Sequence, residues 1–258
     1  MSVPSAGRGG ATGGTSRVAV VLAAGRGTRM ELEGPKVLAR ASGLTLVERV
    51  VAIARELPCE RVVVIVGHGG DEVRGVLAAD DVEFVVQEDQ LGTGHALACA
   101  ESVVAGDSIV FVLSGDVPLL RARTLRELGA AAAGSWGAMA VADLDEPGSL
   151  GRVVTDNDGY LVQSVEFADA TAAELEVRTV NAGIYALPAA GVFDYLRRVR
   201  PDNAQGEIYL PDALNLAAAD GLRVRCLHLE DPDEALGVNT PGELAEVDRL
   251  LRAREASG

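Results

Sequence analysis

A glycine-rich loop followed by a single lysine is the part of this chain best suited to chemistry. Residues 18–22, VAVVL, form an apolar run that reads as a buried parallel strand. The loop AAGRGTRM follows at 23–30, with Pro35 and Lys36 a few positions on. Small residues after a first strand let backbone N–H groups approach an anion, because no bulky side chain stands between them. Arg26, Arg29 and Lys36 add positive charge at the same place. Lys36 is the only lysine among 258 residues; every other strongly basic residue is arginine. A compact ammonium on a flexible stem reaches a phosphate where a planar guanidinium would not fit. The alternative is a plain strand and loop with an incidental lysine, and the glycine-rich signature favours phosphate binding.

Two further candidates stand at the ends of apolar runs. Gln87 follows 82–86, where a neutral donor–acceptor amide can read the edge of a base; read alone, it is a solvated loop residue. Asp116 follows the run 109–113 after only Ser114 and Gly115. A carboxylate facing phosphates needs a cation between them, and Mg²⁺ takes one or two carboxylates together with phosphate oxygens and water. Asp116 could instead cap the next helix, but Gly115 and Pro118 favour a shaped loop. His68 and His95 lie in loops on the same side without an acid or cysteine partner, and His228 is isolated, so all three read as structural or solvated.

These residues need a scaffold that brings loop ends together. Strands are expected at 18–22, 62–66, 82–86 and 109–113, with helices at 44–57, 71–79 and 96–104 between them. That alternation predicts an α/β fold with a doubly wound, mixed and mainly parallel sheet, which binds ligands beyond the carboxyl ends of its strands. After a helix at 124–133 the pattern changes at about Trp136. Short strands follow at 138–144, 151–154, 160–167, 176–180, 183–187 and 222–229, with helices at 189–199, 209–219 and 243–252. The sequence DNDG at 156–159 marks a hairpin. This half reads as strands that extend the sheet and build a small strand-rich lobe over the site.

Composition narrows the partners. The formal net charge of −15 argues against a nucleic-acid backbone or an anionic membrane surface, both of which need a basic face. Hydrophobic residues make up 48 % and aromatics only 3 %, so the core must be built from Val, Leu and Ala. Cys59, Cys99 and Cys226 are odd in number and lack metal-ligand spacing, so free thiols in a reducing compartment are expected. Residues 1–16, mostly Gly, Ser, Ala and Thr, read as a flexible tail and not a signal peptide, which predicts a cytoplasmic protein.

Taken in order, AAGRGTRM with PK, QEDQLGTGHA, SGDVPLL, LGRV, VEFADA, VNAGIY, NAQGEIYLPD and GVNT resemble the N-acetylglucosamine-1-phosphate uridylyltransferases, in particular the pyrophosphorylase domain of the bifunctional UDP-N-acetylglucosamine-forming enzyme. The resemblance covers 18 to about 250. The first motif marks only the broad class, whereas LGTGHA with NAQGE and GVN is more specific. It implies a Rossmann-like nucleotidyltransferase domain over 17–258, with a nucleotide-binding half at 17–135 and a sugar-binding half with a C-terminal helix at 136–258. It implies UTP and a sugar 1-phosphate as substrates. Lys36, Arg29 and Asp116 would serve the chemistry. Leu22, Ala23, Ala24, Gly25, Gln87, Gly92, Thr93 and Gly115 would bind nucleotide, with Gln87 and Gly92 on uracil. Gly151, Glu166 and Asn181 would bind the sugar, and Asp116 with Asn239 would hold Mg²⁺. Asn203, Gln205, Gly206, Glu207, Tyr209 and Asp212 match the segment edging the acceptor pocket.

Three departures fall on the sugar side: Ser114 stands where tyrosine is frequent, Ala168 where lysine is common, and Ala182 where threonine is usual. The sequence ends at Gly258, so the left-handed β-helix of the bifunctional enzyme, its acetyl transfer and its trimer are not expected. The weighed rivals are transfer to another sugar or cyclitol phosphate, a cytidylyl- or molybdopterin-type guanylyltransferase, and a silent sugar-nucleotide sensor.

Overall fold

Side chains on the first strand point alternately to the two faces of a sheet, and both faces are covered. In the computed structural model, which describes residues 16–257 except 26, 28–29, 31–33 and 78–80, β1 (Arg17–Ala23) buries Val18 and Val20 in one core and Ala19, Val21 and Ala23 in the other. Residues 1–15 of the tail expected at 1–16, and the loop residues Arg26 and Arg29, lie outside the described residues.

The chain then runs through short strands β2 (Arg40–Ala41) and β3 (Leu44–Thr45), α1 (Leu46–Arg55), β4 (Arg61–Val66), α2 (Gly70–Val76), β5 (Val82–Val86), α3 (Thr93–Cys99), β6 (Ile109–Ser114) and α4 (Ala122–Ala133). The second half comprises β7 (Gly137–Asp143), β8 (Arg152–Thr155), β9 (Leu161–Val165), α5 (Ala172–Leu175), β10 (Thr179–Pro188), α6 (Ala189–Leu196), α7 (Leu210–Ala219), β11 (Val224–His228) and α8 (Pro241–Ser257). The main sheet has the order β11-β7-β10-β6-β1-β4-β5, with β8 and β9 branching from β10. Along that path β10 alone runs against the rest, pairing antiparallel with both β6 and β7. The sheet is therefore mixed and mainly parallel, as the alternation predicted.

Several boundaries differ from expectation for local reasons. The first helix starts at Leu46 because Thr45 caps it: its hydroxyl accepts from the Glu48 amide at 3.2 Å while Glu48 accepts from the Thr45 amide at 2.7 Å. The helix expected at 96–104 begins earlier, at Thr93, because Gly92 supplies the turn with φ +99°. The strands expected at 176–180 and 183–187 are one strand, β10, with a bulge between Asn181 and Tyr185. Gly183 takes φ +71° there, and its amide donates to the Asn181 side chain at 3.0 Å, so the chain kinks without turning back. The DNDG hairpin forms as expected between β8 and β9.

The packing matters for the site because the carboxyl ends of β1, β4, β5 and β6 share one edge. Backbone bonds tie these ends together: the Gln87 amide donates to Val66 at 2.8 Å and the Gly115 amide to Leu22 at 2.9 Å. A separate small core of Met30, Ala39, Leu46, Leu119, Val238, Val247 and Leu251 fastens α8 and the segment before it to the same end.

Substituting Gly183 with Ala should lower stability by about 2 kcal/mol, since the new methyl must hold φ +71° and would lie 2.6 Å from the Ser114 hydroxyl. Gly75, inside α2 with open space around it, should behave oppositely, gaining about 0.5 kcal/mol on substitution by Ala. Urea midpoints of the two variants check both signs.

Candidate active site

Lys36 reaches the strand ends because Pro35 and a single 3₁₀ turn (Lys36–Leu38) set its backbone there. Gly27, at φ +60°, lies so close that any Cβ would overlap the Lys36 side chain, which explains the second glycine of the loop. The Lys36 ammonium donates to Asp116 Oδ2 and, at 2.7 Å, to Asn239 Oδ1. Asp116 sits just past β6. Its carbonyl accepts from the Val238 amide at 2.9 Å, which delivers Asn239 alongside. The Asn239 amide in turn donates to Glu243 in the first turn of α8 at 2.7 Å. Residues separated by 80 and 203 positions thus share one cation. Two oxygens converging on an ammonium form a donor set that also suits a hard divalent cation.

Beside this cluster opens a cavity of about 550 Å³, lined by Leu22, Ala24, Gly25, Gly27, Lys36, Gln87, Gly92, Thr93, Ser114 and Asp116 among others. Gln87 is buried, and its side-chain amide donates to the Gly92 carbonyl at 3.1 Å. Gly92 has no room for a side chain: a Cβ would meet the Ile208 carbonyl at 2.7 Å. The Thr93 hydroxyl accepts from the Leu210 amide at 3.1 Å and fixes α3 to α7. Ala23 is buried in β1 behind the cavity, and Gly115 is held under Leu22, where a Cβ would lie 2.8 Å from the Leu22 carbonyl.

Gly151, Glu166 and Asn181 come together in a second group. The Asn181 amide donates to Gly151 at 3.0 Å, and Arg152 pairs with both Val180 and Val165. Glu166 follows β9, its carboxylate 3.3 Å from where a Gly151 Cβ would stand. Asn181 uses its side chain within its own strand, donating to the Tyr185 hydroxyl at 2.7 Å. Glu166 also borders a cavity of about 330 Å³ with Asp169, Tyr209 and Asp212. Burial, helped by the nearby carboxylates of Asp212, Asp169 and Glu207, pushes its carboxyl up to about 7.

Three contributors escaped the sequence reading. Gln90 lines the large cavity, together with Glu207, which was expected at the edge of the acceptor pocket. Arg152, buried and stacked over Phe167, donates to the Leu150 and Gly148 carbonyls and so shapes the Gly151 loop. His95, read as structural or solvated, bonds through Nδ1 to the Gln87 amide nitrogen at 3.0 Å. Its spacing from Gln87 across Gly92 was the available signal. Ser114, one of the three departures, donates to the Gly183 carbonyl at 3.1 Å and supports the β10 bulge. The three cysteines are free thiols, with burial pushing Cys59 to about 11 and Cys226 to about 12.

Comparison with known proteins identifies the family. Residues 19–204 match the MobA-like NTP transferase domain. The chain belongs to that family. It is 42 % identical over 245 residues to the bifunctional protein GlmU of Acidovorax sp. (strain JS42), covering 92 % of this chain and 52 % of the relative. With the bifunctional protein GlmU of Dechloromonas aromatica (strain RCB) it shares 44 % over 230 residues, or 89 % of this chain and 51 % of the relative. The chain therefore spans about half the length of the curated relatives it matches. Among solved structures, a UDP-glucose pyrophosphorylase complexed with UDP-glucose superposes with a TM-score of 0.75 at 17 % identity, over 93 % of this chain and 99 % of that one. The inositol-1-phosphate CTP transferase from T. maritima gives 0.69 at 19 %, over 93 % and 96 %. These two likenesses concern the fold.

Because Glu166 binds its proton more tightly folded than unfolded, its contribution to stability falls as pH rises from about 4.5 to about 7. The loss amounts to about 3 kcal/mol at most. Glu166→Gln should match the parent near pH 4.5 and exceed it in stability at pH 8. Urea midpoints at both pH values decide this.

Proposed function

We propose that this chain forms UDP-N-acetylglucosamine and pyrophosphate from UTP and N-acetylglucosamine 1-phosphate. The observation that carries the reading is the single ammonium shared by Asp116 and Asn239 at the mouth of a cavity lined by glycine backbone. The similarity to bifunctional GlmU proteins over about nine-tenths of the chain supports it. In this reading residues 17–135 hold the nucleotide and 136–258 the acceptor, within a cytoplasmic enzyme. Among the described residues no helix is long and apolar enough to cross a membrane.

The nucleotide lies along Leu22, Ala23, Ala24 and Gly25, where the small Ala and Gly residues leave the backbone open to phosphate oxygens. Gln87, Gly92 and Thr93 face the uracil end, and Gly115 lets the β6 loop close under the ribose and phosphates. Gly151, Glu166 and Asn181 orient the sugar hydroxyls. The acceptor phosphate oxygen forms a bond to the α-phosphorus as the bond to the departing pyrophosphate breaks, in line and without a covalent enzyme intermediate. Asp116 and Asn239 would hold Mg²⁺, which when bound neutralises phosphate charge. The Lys36 ammonium would donate to the phosphates, with Arg29 expected to add positive charge.

Incubating the protein with UTP, Mg²⁺ and a panel of sugar and cyclitol phosphates, followed by mass analysis, tests the assignment. UDP-N-acetylglucosamine should be the main product; no nucleotidyl transfer to any acceptor would refute the reading. Lys36→Met should cut turnover on the order of 100-fold while moving the melting temperature little. The same variant should bind Mn²⁺ several-fold more tightly in the absence of nucleotide, because no ammonium competes for Asp116 and Asn239. Mn²⁺ titration followed by electron paramagnetic resonance reads that directly.

A further inference from the structure

Gln87 is a buried amide whose two ends have different fates. Its nitrogen donates to the Gly92 carbonyl at 3.1 Å. A carbonyl can only accept, so this contact alone decides which end of the amide faces Gly92. The second hydrogen of the same nitrogen points to His95 Nδ1 at 3.0 Å. Nδ1 must then be the bare ring nitrogen, with the proton on Nε2. Both amide hydrogens are thereby used inside the protein. No described residue donates to Gln87 Oε1, and Gln87 lines the large cavity. His95 is itself fixed, because it stands in the first turn of α3, where Gly94 donates to the Ile208 carbonyl at 2.8 Å.

We propose that His95 sets base specificity: by accepting from the Gln87 amide it holds Gln87 as an acceptor toward the base, and so selects a pyrimidine with a protonated N3 against cytosine. The inference rests on the nucleotidyl-transfer reading above and adds a residue to it. Uracil presents N3–H between two carbonyls, and Oε1 accepts from it. Cytosine presents a lone pair at N3, which would face the lone pairs of Oε1 with no proton between them. A buried site built to accept a hydrogen bond rejects the base that lacks the donor, because the unpaired groups cannot turn to water. Rotating the amide would cure the mismatch for cytosine. Rotation sets Oε1 against the Gly92 carbonyl and also forces the His95 ring to move its proton to Nδ1 or lose its bond, a second cost that is absent without His95. His95 is thus a positioning residue that acts through Gln87.

The test compares kcat/KM for UTP and CTP in the parent, in His95→Leu and in His95→Asn, whose side-chain oxygen can accept where Nδ1 did. His95→Leu should reduce the UTP-to-CTP ratio at least tenfold, and His95→Asn should keep most of it. A ratio unchanged in His95→Leu, or lost equally in both variants, overturns the proposal while leaving nucleotidyl transfer intact. Failure of the parent to turn over or bind either nucleotide, measured by calorimetry, would instead sink the reading beneath it. One measurement needs no variant: two-bond ¹H–¹⁵N correlation of the histidine rings in the nucleotide-free protein. A His95 protonated at Nε2 and bare at Nδ1 near neutral pH supports the assignment, and a proton on Nδ1 overturns it.

Discussion

Everything at the active end is arranged around one positive charge between two oxygens. The Asp116 carboxylate and the Asn239 amide oxygen repel each other unless a cation stands between them, and the Lys36 ammonium supplies it. In a chain of net charge −15 such a charge has to be local and well held. Its position follows from backbone choices far apart in sequence. Gly27 gives up its side chain so that Lys36 can lie down, and Gly115 gives up its own under Leu22. The Val238–Asp116 backbone bond imports Asn239 from the segment before α8. The same oxygens that hold the ammonium can hold a divalent ion.

The sheet makes this convergence cheap. With β1, β4, β5 and β6 parallel, four loops open at one edge without any loop having to travel. The reversed strand β10 extends the logic to the second half. Running against β6, it begins where β6 ends, and its early residues Val180 and Asn181, still paired with β7, extend past β6 to meet β8. Gly151, Asn181 and Glu166 are then neighbours across a short antiparallel patch. A bulge interrupts the strand at Asn181–Tyr185, and Ser114 holds it by its hydroxyl. A serine at the end of β6 thus spends its hydroxyl on the scaffold, whereas a tyrosine there would have to point elsewhere.

How much of this was legible in the sequence depended on how local the cause was. Apolar runs such as 62–66 and 109–113 gave their strands almost to the residue, because burial on both faces requires continuous hydrophobicity. The break expected within β10 failed because a glycine and an asparagine, which usually make a turn, here make a bulge held by neighbours distant in sequence. The site loops could be grouped from strand order alone. The meeting of Lys36 with Asn239 could not, since nothing local links residues 203 positions apart, and the family resemblance suggested only that Asn239 joins Asp116. His95 was set aside because acids and cysteines were the partners sought for a histidine, and its partner is an amide.

The two ends of the cavity work by different physics. At the Lys36 end, one ammonium balances a carboxylate and an amide oxygen. At the Gln87 end no charge is needed, because a buried, immobilised amide dipole already favours one pattern of donors over another. Such a dipole discriminates only while it cannot turn, and orientation is therefore worth as much as identity. A glutamine free to rotate would accept from one base and donate to another with little difference in energy. Two acceptors from the protein, one a backbone carbonyl and one a ring nitrogen, turn an ambivalent side chain into a fixed one.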